Sequence, residues 1–116
     1  MKKIKFYVCS NCNNIITATD EVLIACCGEK LKPLEGKKAE ENEKLSVEKI
    51  ENDYFISSEH EMTKENYIAF VALVTGDTIL MKKQYPEWSL QTRIPIIGRG
   101  ILYWHSTTEG LIYQSV

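Results

Sequence analysis

Four cysteines carry the most evident chemistry of this chain: Cys9 and Cys12 in Cys9-Ser10-Asn11-Cys12, and the adjacent pair Cys26-Cys27. They are its only cysteines, and all fall in the first quarter of its 116 residues. A C-x-x-C turn can close two sulfurs on one ion, and the vicinal pair can supply the other two. Four soft thiolates in a tetrahedron suit zinc or a single iron. Neighbouring residues have no intervening turn in which to relax the S–metal–S angle. The pair therefore predicts a strained half-site with few backbone N–H groups aimed at its sulfurs. Disulfides and free thiols are the competing readings. Met1-Lys2-Lys3 opens the chain with no apolar stretch behind it, unlike a secretory signal. A reducing, cytoplasmic setting is expected, in which clustered cysteines read as metal ligands.

The elements around the cysteines are short strands. Residues 3–8 and 22–25 each read as a strand running into a cysteine pair, and Gly28 can take the positive φ that a metal knuckle requires. A piece of this size has little core, so bound metal is expected to supply much of its folding energy. From Glu29 the composition shifts to Lys and Glu, broken by Pro33 and Gly36. The run Lys37-Lys38-Ala39-Glu40-Glu41-Asn42-Glu43-Lys44 reads as a solvated linker.

Beyond it lie seven β-branched and aromatic segments: residues 45–50, 54–57, 67–75, 78–83, 93–96, 101–105 and 111–114, with Asn52-Asp53 and Gly76-Asp77 as turn signals. Seven short strands without a helical period predict a mainly β fold, an antiparallel sandwich of immunoglobulin type. Met62–Asn66 is long enough for one helical turn at most. Trp88, Trp104 and most tyrosines read as core or rim packing. Apolar residues at 44% suffice for a core, and no run is long enough to span a bilayer. The net charge is −2 and no basic stripe interleaves with aromatics, so neither nucleic acid nor membrane is an expected partner.

Three segments in order then carry a resemblance: Phe6-Tyr7-Val8-Cys9-Ser10-Asn11-Cys12 with Cys26-Cys27-Gly28, then His60-Glu61-Met62-Thr63-Lys64-Glu65-Asn66-Tyr67-Ile68, then Ser106-Thr107-Thr108-Glu109-Gly110-Leu111. Over nearly its whole length the chain resembles the desulfoferrodoxins of the superoxide reductase family. The resemblance implies a desulforedoxin-like metal-binding domain at residues 1–36, a linker at 37–44 and a superoxide reductase-like β-sandwich at 45–116. It further implies a homodimer, a redox partner, and iron on Cys9, Cys12, Cys26 and Cys27, a site that zinc fits equally well.

The family's second, catalytic iron takes four imidazoles and one thiolate. Those positions fall here on Leu45, His60, Asn66, Ser106 and Glu109, and the family's mobile lysine falls on Lys44. Only His60 keeps a ligand of the original kind, so Lys44, His60 and Glu109 stand as vestigial candidates and superoxide reduction by the usual mechanism is not expected. His105 precedes the lost cysteine position by one residue, so strand alternation aims it at the opposite face. The expected function is one-electron transfer through an Fe(Cys)4 centre. The alternatives are a superoxide reductase with a rebuilt second site and a non-enzymatic module with structural zinc.

Overall fold

The computed structural model describes every residue except Met1, Lys2, Lys3, Ser10, Asn13, Glu21 and Asp77. The chain divides into two units, Met1–Glu35 and Gly36–Val116. Among the described residues there is no helix, and so none long and apolar enough to cross a membrane.

The first unit is two hairpins. Strands β1 (Lys5–Val8) and β2 (Ile15–Ala18) pair antiparallel, and β3 (Ile24–Cys26) pairs with β4 (Glu29–Leu31). Phe6 and Tyr7 are fully buried, and Cys9 nearly so. The Tyr7 hydroxyl accepts from the Val22 N–H at 3.2 Å and donates to the Val22 carbonyl at 3.4 Å. One buried ring thus fixes the approach to β3. Neither β2 nor β4 was expected from the sequence: Glu29-Lys30-Leu31 carries no β-branched residue and is held by its partner strand, whereas Ile15-Ile16-Thr17 has the strand composition and was passed over.

The second unit begins with β5 (Lys37–Lys38), followed by β6 (Ser46–Ile50), β7 (Asp53–Ser57), β8 (Ile68–Val74), β9 (Ile79–Lys83), β10 (Gln91–Pro95), β11 (Ile101–Ser106) and β12 (Gly110–Ser115). They form a three-stranded sheet, β10-β7-β6, and a five-stranded sheet, β5-β12-β11-β8-β9. Inward residues of both sheets share one core: Tyr54 and Ile56 from β7, Ile94 from β10, Val71 and Leu73 from β8, Leu102 and Trp104 from β11, and Ile112 from β12. Two sheets closing on a common apolar layer make the expected sandwich.

Two details depart from expectation. The run assigned to a solvated linker is partly structured: β5 pairs parallel with β12, Ala39 is buried in the core, and the Ala39 N–H donates to Tyr113 O at 2.8 Å. An exposed strand edge accepts any backbone, whatever its charge, so composition could not reveal this eighth strand. Met62–Asn66 forms a reciprocal turn instead of a helical one, with Thr63 N–H to Asn66 O at 2.9 Å and Asn66 N–H to Thr63 O at 3.3 Å.

Candidate metal centre

The β3–β4 hairpin explains how adjacent cysteines can share one ion. Cys26 pairs with Glu29, leaving Cys27-Gly28 as a two-residue loop. Both loop residues have positive φ, 53° at Cys27 and 78° at Gly28, as a type I′ turn requires. In an extended strand the side chains of 26 and 27 would point to opposite faces. The left-handed backbone at Cys27 turns its sulfur back, so that the two Sγ atoms stand 4.0 Å apart. A non-glycine residue held in that region costs roughly 1–2 kcal/mol. The other half-site follows β1: the Cys9 N–H donates to Asn14 O at 3.0 Å, closing the loop that carries Cys12.

The four sulfurs lie within 4.8 Å of one another, and Cys12 Sγ is 3.4 Å from Cys26 Sγ. A tetrahedron with metal–sulfur bonds of about 2.3 Å has edges of about 3.8 Å, so the donor set fits a four-thiolate ion with small adjustment. The backbone N–H groups of Cys12 and then Asn11 point at the Cys9 sulfur and lower its pKa to about 7. At Cys27 the neighbouring sulfurs of Cys12, Cys9 and Cys26 act instead, pushing it up to about 12, and Cys26 is raised by Cys12 and Cys9. The asymmetry matches the sequence expectation for the vicinal pair. Four thiols this close resist losing all their protons unless a cation shares the charge.

The second cluster lies in the sandwich. Leu45, His60, Ser106 and Glu109 come from three separate stretches of chain, and His60 and Ser106 join Glu61, Thr108 and Asn66 in a closed ring of five residues linked by hydrogen bonds. His60 Nδ1–H donates to Glu61 O at 2.6 Å, which leaves Nε2 to accept from the Ser106 hydroxyl at 3.2 Å. Ser106 Oγ, fully buried, accepts from the N–H groups of Glu109 at 3.2 Å and Thr108 at 3.4 Å. The Thr108 hydroxyl donates to Asn66 Oδ1 at 2.8 Å, and Asn66 Nδ2 donates to Glu61 Oε2 at 2.9 Å. The ring thus starts and ends on Glu61. Leu45 instead enters the core, its N–H donating to Gln114 Oε1 at 2.8 Å. Glu109 Oε1 lies 4.0 Å from His60 Nε2, and the Lys44 ammonium is 3.1 Å from Glu41. Lys44, His60 and Glu109 line one cleft of about 1190 Å³ whose wall includes Trp104.

A scan against protein-family models and a search of the curated proteins gave no match. Among solved structures, the superoxide reductase from Treponema pallidum superposes with a TM-score of 0.83, covering 98% of this chain and 99% of that one at 18% identity. The fold is that of a superoxide reductase.

Within that superoxide reductase fold, of the five positions that the resemblance assigns to a second centre, His60, Asn66 and Ser106 join the network through their side chains, Glu109 through its backbone N–H, and Leu45 packs into the core instead. The network also enlists Glu61 and Thr108, which sequence reasoning passed over because neither falls on a ligand position. The only group of three or more potential metal-ligating residues among the described ones is the four-cysteine cluster. His105 faces away from Leu102 and Trp104, its ring stacked on Phe70 at 5.9 Å and 10°. Burial holds its pKa below the ordinary 6.5. The unfolded chain takes up that proton more readily, so the stability contribution is complete above about pH 6.5 and declines as pH falls below it. His105→Phe, which keeps the stacking, is expected to flatten that decline in urea midpoints measured from about pH 7 to about pH 5.

Proposed function

We propose that this protein is a one-electron carrier of the desulfoferrodoxin type, with iron held by Cys9, Cys12, Cys26 and Cys27 and with the superoxide-reducing site lost. The convergence of four sulfurs from two hairpins is the observation that carries the reading. Iron in such a site supplies a one-electron couple without needing an open coordination position. The residues of the chain set its surroundings. Amides of Cys12 and Asn11 stabilise charge on the Cys9 sulfur, while the exposed Cys12 and Cys27 sulfurs bring one side of the centre to solvent. Cys9 is buried and anchors the opposite side.

Loss of the second centre rests on the Glu61–His60–Ser106–Thr108–Asn66 ring. A metal at His60 would have to displace the Ser106 hydroxyl from Nε2. Leu45 could offer it nothing in return, and the Ser106 hydroxyl is not ionised at neutral pH.

The test is metal analysis of protein produced in iron-rich, zinc-poor medium, together with visible absorption before and after mild reduction. One iron per chain, with thiolate charge-transfer colour that bleaches on reduction, is expected. Two irons, with fast oxidation of the reduced protein by superoxide, would overturn the loss of the second centre. Zinc alone, under conditions where a control desulforedoxin takes iron, would establish the structural reading instead.

A further inference from the structure

The outer face of the β3–β4 hairpin is unusual for so small a unit. Leu23 is 94% exposed, directly before β3, and Val22 beside it is 46% exposed. Along the strand, Ile24 and Cys26 are partly buried whereas Ala25 is exposed, so Leu23 and Ala25 share the outward face. They lead to Cys27, whose sulfur is exposed. Lys30 stands directly across from Ala25 in the register and so projects on the same face. Lys32, one residue past the end of β4, is exposed as well.

This apolar stripe is not a loose tail. The Val22 backbone is gripped on both its N–H and its carbonyl by the fully buried Tyr7, which lies two residues before Cys9 on β1. Leu23 is therefore held at a fixed place relative to the cluster, and little ordering entropy remains to be lost when a partner covers it. Charge favours one kind of partner. The first 35 residues carry five lysines against four acids, whereas the remaining 81 carry nine basic residues against twelve acids. The more basic unit is the one that bears the exposed sulfurs.

We propose that Leu23, Ala25 and Lys30 form the docking surface for a small, acidic electron-carrier protein, which exchanges its electron with the centre through Cys27. The inference rests on the redox reading of the four-cysteine site. One electron passes: the carrier is oxidised by one unit and the centre is reduced by one, with no bond made or broken. The leucine and alanine exclude water at the contact, and Lys30 steers the negatively charged partner, so association slows as salt rises.

The test uses the full chain loaded with iron, with a reduced flavodoxin as the acidic probe and photoreduced deazaflavin as a small reductant that needs no docking surface. Leu23→Ser and Lys30→Glu are each expected to lower the second-order rate with flavodoxin by about tenfold. The deazaflavin rate stays as in the parent protein. Unchanged flavodoxin rates in both variants, with deazaflavin reduction intact, would overturn the docking surface. Failure of deazaflavin to reduce the centre would overturn the redox reading beneath it. A second readout needs no redox chemistry: in the zinc-loaded protein, amide shifts caused by flavodoxin should gather at Leu23, Ala25, Cys27 and Lys30. Shifts gathered elsewhere would place the partner on another face and refute the assignment.

Discussion

Chelating the metal from the loaded protein is expected to unfold residues 4–35 while the sandwich keeps its structure. Among the described residues of the first unit, Phe6, Tyr7 and Cys9 are the buried apolar ones, far too few to offset the conformational entropy of some thirty ordered residues. Apparent binding free energies of about 10–16 kcal/mol for structural zinc sites show the scale of what a four-ligand ion can return. The core of the second unit is drawn wholly from residues 39–112, so it does not depend on the cysteines for its packing. Amide hydrogen exchange read residue by residue gives the answer. Protection at Phe6 and Tyr7 should disappear on chelation while that at Val71 and Trp104 remains. Persistent protection in β1 and β2 without metal would show that the hairpins stand by themselves. Acid should act in the same direction as the chelator, because protons compete with the ion for the four sulfurs.

Trp104→Ala is expected to destabilise the sandwich by about 3–5 kcal/mol, a large part of the roughly 5–15 kcal/mol that a domain has in all. Trp104 is 2% exposed, stands opposite Val71 on β8 and Ile112 on β12, and forms part of the cleft wall beside His60. Truncation removes a large apolar surface from the layer where the two sheets meet, and strands tied on both sides cannot close over the void. The denaturant midpoint of the second unit reports the effect. A loss below about 1 kcal/mol would mean that the cleft admits water or neighbouring side chains at little cost.

The sandwich was largely legible because its strands announce themselves by alternation. Tyr54 and Ile56, or Leu102 and Trp104, point the same way at every second residue, and composition supplies the rest. β5 was hidden because Lys37-Lys38 contributes only its backbone. The turn between β6 and β7 fell one residue early, on Glu51-Asn52, since Glu51 takes a φ of 55° that its side chain does not advertise. Spacing revealed the cysteines as one group. It could not reveal that positive φ at Cys27 is what reconciles the adjacent pair. At the second cluster the lost ligands were visible one by one, but the ring that Glu61 and Thr108 complete depends on contacts between distant stretches. No local pattern encodes such contacts.

The Cys27-Gly28 turn has one more effect, on how the ion is let go. Two of its four donors sit on a single hairpin tip and share one pair of backbone torsions. If Cys27 relaxes from its left-handed conformation, its sulfur swings away and disturbs that of Cys26 with it. Separate loops would release their ligands one at a time and recapture them just as singly. Here half of the donor set hangs on one turn, and the left-handed backbone of Cys27 is what holds its two sulfurs together.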